Sequence, residues 1–206
     1  GMAVSYFGLK ITQKESAPVL KPDPNDKNVG PDEMAEYTRT LGLNATYRVN
    51  GSLPLLKTFL SNDLPVIVEH WFIPEPNDEM GHYKLMRGYD DAAQVFIAHD
   101  SYNGPNIRMP YAEFDGLWKV FNRAYVVVYP PDREAQVKAI IGEDMDDTTM
   151  WQRSLAGAQT DVIGPRVIGQ RYPHRAAQGG DLWCRDRGRE VAGREVDCDG
   201  TECLCG

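Results

Sequence analysis

The residues of this chain best suited to acid–base chemistry are His82, His99 and Asp100. His82 follows Gly81 at the start of an apolar, strand-like segment, and His99 and Asp100 are adjacent at the end of the next such segment. Histidine adapts to proton transfer near neutral pH more readily than other side chains, and strand ends beside loops commonly display catalytic groups. Because adjacent residues of a strand point to opposite faces, only one of His99 and Asp100 can meet His82.

The register between the two segments decides which of them it is. A turn with an even number of residues places His82 opposite Ser101 and on the face of His99, whereas an odd turn or one bulge places Asp100 opposite His82. A histidine beside a carboxylate is the base and orienter of a nucleophilic triad, in which the carboxylate fixes the imidazole tautomer. The sequence leaves both registers open.

The remaining histidines suggest less chemistry. His70 ends an apolar segment beside Trp71, and we expect it to be partly buried and hydrogen-bonded. His174 lies near the carboxyl terminus, in a segment without helical or strand periodicity, and receives no role.

The cysteines offer no nucleophile to the main part of the chain. All four lie in the last 23 residues, so residues 1–183 contain no thiol. Cys184, Cys198, Cys203 and Cys205 lack a paired C-x2-C knuckle and match structural zinc sites poorly. We therefore expect neither a metal nor a cofactor.

Composition narrows the class of protein. With 206 residues, 42% hydrophobic and 25% charged, the chain suits one globular domain plus an extension. The formal net charge of −8 argues against a nucleic-acid partner. No run of eighteen apolar residues predicts a membrane segment, and the amino terminus lacks the features of a secretory signal.

The order of predicted elements indicates an α+β domain. Pro31 starts a helix that Gly42 stops, and Ser52 caps a second helix, Leu53–Leu60. β-Branched and aromatic runs then predict strands, with a short helix at 111–120 before the last one. The predicted strands are 66–68, 83–89, 95–100 and 125–129, with a turn at 90–93. Helices followed by an antiparallel sheet are typical of the α+β class.

Composition also divides the chain. The domain should end near Pro130 and Pro131, so residues 1–131 form the main domain and residues 132–163 a helical extension. Residues 164–206 hold seven arginines, no lysine and eight of the nineteen glycines. We expect this tail to be disordered or the product of a displaced reading frame.

The ordered set Pro65–Val68, Gly81-His82-Tyr83, Gly88-Tyr89-Asp90 and His99-Asp100-Ser101 resembles the peptidase family that trims double-glycine leaders from bacteriocins, and more closely its peptidase-like branch. The resemblance covers roughly residues 1–131 and implies a papain-like fold. It implies that His82 is the general base and Asp100 its orienter, that the partner is a peptide or protein substrate, and that the protein is bacterial and exported or surface-associated.

The resemblance also shows where this sequence differs from the family pattern. The segment Gly1–Gly8 is similar to the latter half of the family's first helix, which begins with Cys-Gly-Pro after a Gln of the oxyanion hole. Both motifs would lie upstream of Gly1, so we expect residues 1–206 to be inactive. Ser5 would lie about three helical turns past the cysteine and is no substitute.

Two other functions stay open. The cleft could hold a peptide without cutting it, with the aromatic side chains Trp71, Phe72, Tyr83 and Tyr102 lining it or packing in the core. A metal-bound structural protein using His82, His99 or Asp100 is the third hypothesis.

Overall fold

An antiparallel sheet forms the centre of the domain in the computed structural model, which describes residues 1–23, 25, 28–75 and 78–163. Its strand order is β1-β6-β2-β3-β4-β5, and every neighbouring pair is antiparallel. The strands are β1 (Asn44–Arg48), β2 (Val66–Glu75), β3 (Asp78–Asp90), β4 (Val95–Asp100), β5 (Gly104–Pro110) and β6 (Tyr125–Tyr129).

Helices flank the sheet in the same part of the chain. They are α1 (Met2–Tyr6), α2 (Gln13–Leu20), α3 (Pro31–Thr40), α4 (Leu53–Ser61), α5 (Tyr111–Trp118), α6 (Glu134–Ile141) and α7 (Asp147–Ile163). Short 3₁₀ turns follow α5 at Lys119–Phe121, precede α6 at Pro131–Arg133 and follow it at Gly142–Met145.

Local sequence explains where α3 and α4 begin and end. Pro31 opens α3, and the Glu33 carboxylate accepts a hydrogen bond from the Gly30 amide at 2.6 Å. After α3, Gly42 adopts a φ of +84°, a left-handed conformation that favours glycine. The Ser52 hydroxyl caps α4 by accepting a hydrogen bond from the Leu55 amide at 3.2 Å.

The sheet buries both of its faces. One face carries Val66, Val68 and Met86 and forms the larger core with residues of α4, α5 and α6, among them the fully buried Phe59 and Phe114. The opposite face packs beneath α1 and α3 in a second cluster of residues: Ala3, Val4, Ala35, Leu43, Ala45, Leu85, Val126 and Val128. Burial on two faces explains the nearly continuous apolar run of β6.

These observations confirm the α+β prediction and most of its elements. The structure extends the strands predicted at 66–68 and 83–89 to ten and thirteen residues, and it adds α2, β1 and β5, which the sequence did not predict. The turn between β3 and β4 spans Asp91–Gln94, one residue later than predicted.

The segment 132–163 is helical and packs on the sheet domain. Val137 and Ile141 of α6 join the larger core, and Met150 of α7 is buried with Val49 and Ala124. Arg123 pairs with both Asp115 and Asp161, which ties α7 to the turn after α5. No helix in the described part of the chain is long and apolar enough to cross a membrane. The predicted tail at 164–206 lies outside the described residues.

Candidate functional site

His82 and Asp100 form a hydrogen-bonded pair where β3 and β4 lie side by side. His82 Nε2 is 2.8 Å from Asp100 Oδ1, within the range expected for a base and its orienter. The contact depends on a β-bulge between Met86 and Gly88, which changes the register midway along the two strands. The bulge puts His82 and Asp100 on one face of the sheet.

Both registers predicted from the sequence are wrong in detail. His99 lies opposite Leu85, whereas the predicted registers put it opposite Lys84 or Tyr83. The turn starts after Asp90, whose carboxylate accepts a hydrogen bond from the Ala93 amide at 3.0 Å. The later turn and the bulge together make His82 and Asp100 diagonal neighbours instead of direct cross-strand partners.

The Asp100 carboxylate is fully buried and surrounded by hydrogen-bond donors. Oδ1 accepts hydrogen bonds from the amides of Tyr102 at 2.7 Å and Asn103 at 3.2 Å in addition to the His82 contact. Oδ2 accepts from Asn103 Nδ2 at 3.0 Å and pairs with the Lys84 ammonium. Donors on both oxygens hold the carboxylate in one orientation.

The geometry assigns different roles to the two ring nitrogens of His82. With Nε2 donating to Asp100, Nδ1 is the basic nitrogen, and it has no hydrogen-bond partner within the described part of the chain. The ring stacks on Phe72 with centroids 4.6 Å apart, and its side chain is 16% exposed. Burial, with a smaller contribution from the Lys84 charge, lowers the pKa of His82 to about 4. At neutral pH the imidazole is therefore uncharged and able to accept a proton.

His70 lies directly across from His82 on β2, with the two ring centroids 6.1 Å apart. It is fully buried, and burial lowers its pKa to about 3. The Trp71 backbone opposes that shift slightly, but no hydrogen bond of normal geometry reaches either ring nitrogen among the described residues. The expectation that His70 is partly buried and hydrogen-bonded is therefore wrong, because its side chain is fully buried and neither ring nitrogen has a partner among the described residues.

His99 points to the opposite face of the sheet from Asp100, as expected for its neighbour. Its Nδ1 accepts a hydrogen bond from the Asn106 amide at 3.3 Å, and burial lowers its pKa. No group of His, Cys, Asp and Glu residues within the described ranges has the geometry of a metal site. His174 and the four cysteines lie outside those ranges.

The four candidate aromatic residues separate into two groups. Phe72 is buried against His82, and Tyr102 is 59% exposed with its ring edge against Phe72. Tyr83 donates a hydrogen bond to the Val29 carbonyl at 2.9 Å, and Trp71 packs on Phe121. Of these four residues only Phe72 contacts the His82 ring, and Tyr102, whose ring packs on Phe72, is the exposed one.

Sequence reasoning missed Lys84. Its side chain is 2% exposed and pairs with Asp100 on the face that carries His82. The available signal was a charged residue two positions after His82 in an apolar strand, since residues two apart share a face. A buried lysine is rare without a counter-charge, so its position already implied an acidic partner.

Comparisons with known proteins identify the family of this chain. A family profile described as "Peptidase_C39 like family" matches residues 1–126. A putative C39-like peptidase from Bacillus anthracis is similar in structure, with a TM-score of 0.47 and 12% identity, over 62% of this chain and 84% of that one. The peptidase domain of Streptococcus ComA, a bi-functional ABC transporter involved in a quorum-sensing pathway, gives a TM-score of 0.48 and 16% identity over the same shares. No curated protein matches the chain.

Proposed function

Because this chain belongs to the Peptidase_C39-like family, we propose that its papain-like domain is a cysteine peptidase domain with His82 as general base and Asp100 as orienter. The observation that carries the proposal is the 2.8 Å contact between His82 Nε2 and Asp100 Oδ1. It leaves Nδ1 as the nitrogen that would meet a nucleophile.

The chemistry requires a thiol that residues 1–183 do not contain. In the proposed reaction His82 Nδ1 takes the thiol proton as sulfur attacks a peptide carbonyl, and the same nitrogen then returns the proton to the leaving amine. Water hydrolyses the resulting thioester. We propose that the thiol belongs to a Cys-Gly-Pro segment preceding Gly1 and that residues 1–206 alone are inactive.

A second candidate function is a non-catalytic peptide-binding module of the same fold. The absence of a thiol from residues 1–183 favours it, because a binding site needs a cleft but no nucleophile. The exposed ring of Tyr102 beside Phe72 would contact the peptide in either case.

Two proteins test the proposal: residues 1–206, and a version extended by the sequence encoded immediately before Met2. We expect no alkylator-sensitive peptide cleavage by the first, because losing the nucleophile of a triad costs on the order of a million-fold in turnover. We expect cleavage by the second, sensitive to iodoacetamide and abolished by His82→Ala. His99→Ala is the matched control and should retain activity, since His99 lies on the other face.

The two candidate functions give different outcomes. Peptide binding without cleavage by the extended protein, with a residue other than cysteine at the Cys-Gly-Pro position, would replace the peptidase with the binding module. Alkylator-sensitive, His82-dependent cleavage by residues 1–206 would contradict the proposed origin of the thiol.

A further inference from the structure

Lys84 is the one buried lysine among the described residues, and its surroundings are those of the candidate site. Its side chain is 2% exposed, and its ammonium pairs with Asp100 Oδ2 while lying 5.0 Å from the centre of the Phe72 ring. Removing an ammonium group from water is costly unless an opposite charge compensates it. Asp100 supplies that charge, and the Phe72 ring adds a weaker attraction.

Asp100 is therefore shared between two basic groups. Oδ1 contacts His82 and Oδ2 contacts Lys84, so the carboxylate lies between the imidazole and the ammonium. In a simple histidine–aspartate pair the carboxylate favours the charged imidazolium. Here the Lys84 charge already balances the carboxylate, and a proton on His82 would place a second positive charge in a buried site.

We infer that Lys84 is a positioning residue of this site: by sharing the Asp100 carboxylate with His82, its ammonium adds to burial in keeping the His82 imidazole uncharged. The effect of an uncharged His82 on catalysis rests on the proposed function. The contacts of Asp100 with His82 and Lys84 do not depend on that function. The inference goes beyond the proposed function because it assigns to Lys84 a part in setting the charge of the proposed base.

The other groups packed against His82 support the inference. From β2 come His70, which is itself kept neutral by burial, and the apolar Phe72. From β4 and the loop after it come Asp100 and the amides that bind it. Lys84, from the same strand as His82, is the one of these groups that carries a positive charge. Burial lowers the pKa of Lys84 to about 7, so at pH 6 its side chain is mostly the charged ammonium.

NMR titration of the histidine ring signals in the full 206-residue chain tests the inference without any activity assay. The signal that disappears in His82→Gln identifies His82 among the four histidines. Lys84→Met and Lys84→Gln should each raise the proton affinity of His82 at least about tenfold, because both leave the Asp100 charge to His82 alone. Lys84→Arg should leave it within about threefold of the unmodified chain, because the positive charge remains.

A matched control separates this effect from the general loss of one positive charge. Lys57 of α4 also pairs with an aspartate, Asp91, which follows the end of β3 remote from His82. Lys57→Met should therefore leave the His82 titration unchanged. An unchanged titration in Lys84→Met, or an equal rise in Lys84→Arg, would overturn the inference.

A measurement on the unmodified chain can still overturn the inference if the Lys84 variants fail to fold. Nitrogen shifts of His82 at pH 6 should show a neutral ring with the proton on Nε2. An imidazolium at that pH would contradict the inference. Because neither experiment uses peptide cleavage, a failed activity assay would count against the proposed function alone.

Discussion

At the scale of single residues, His70 makes the stability of the fold depend on pH. Its pKa is about 3 in the folded protein and about 6.5 in an unfolded chain. Below pH 6.5 the unfolded state binds a proton that the folded state excludes, so the free energy of unfolding falls as the pH falls. The loss amounts to about 1.4 kcal/mol per pH unit for one such histidine and ends near pH 3.

His70→Leu should remove the part of this dependence that His70 causes and stabilise the fold at low pH, while His82, with a pKa of about 4, keeps its own part. Leucine has no ring nitrogen to protonate and leaves no buried polar atom without a partner, which alone is worth about 1–3 kcal/mol. We expect urea unfolding at pH 7.5, 6.0 and 4.5 to give a free energy of unfolding that falls less steeply with decreasing pH in the variant than in the parent. His99→Leu is the control, because His99 is hydrogen-bonded and only half-buried. Parallel declines in His70→Leu and the parent would show that His70 does not carry the effect.

The sequence predicted the His82–Asp100 contact as one of two alternatives, and the reason for the ambiguity is physical. Which residues face each other depends on where the turn starts and whether the strand bulges. The bulge between Met86 and Gly88 is a property of the paired strands, and nothing in Met86-Arg87-Gly88 alone requires it. Lys84 was missed because its partner Asp100 is distant in sequence.

At the scale of secondary-structure elements, local signals predicted some segments and not others. Pro31, Gly42 and Ser52 act within a few residues of themselves, so α3 and α4 were found with nearly correct bounds. β1 pairs only with β6, which lies about eighty positions later. β5 begins with Gly104, Pro105 and Asn106, which favour a turn, and it is a strand because β4 offers it an edge.

Gly51 lies in the connection between β1 and α4 and packs against a fully buried tryptophan, Trp118, which leaves no room for a side chain. A Cβ at this position would overlap the Trp118 ring, whose Nε1 is held by the Ala124 carbonyl at 2.7 Å. Gly51→Ala should therefore destabilise the fold by about 1–3 kcal/mol, since the ring has no space to move into. Thermal unfolding measures the change.

Gly157→Ala is the matched control for that prediction. At Gly157, within α7, the nearest atom to an added Cβ is 4.0 Å away, and alanine favours a helix over glycine by about 1 kcal/mol. We expect this variant to melt at or above the parent temperature. Equal losses in both variants would mean that crowding against Trp118 is not the cause.

At the scale of the whole molecule, the three buried hydrophobic clusters consist of residues between Ala3 and Met150. We therefore predict that a chain ending at Gln170 keeps the melting temperature of the full chain within about 2 °C, because it retains every residue of these clusters. Differential scanning calorimetry measures this, and a drop of about 10 °C would show that the tail contributes to the fold.

The position of β6 in the sheet has a consequence for how the chain reaches its folded state. β6 is the last in sequence of the six strands of this sheet, yet it lies between β1 and β2 and bonds to both. During synthesis β1 therefore has no strand to pair with until Tyr125–Tyr129 leaves the ribosome. Such long-range pairing requires a large loop to close before it gains stability, which slows folding to about milliseconds to seconds. Synthesis halted before Tyr125 would leave an aggregation-prone intermediate with the β2 edge unpaired.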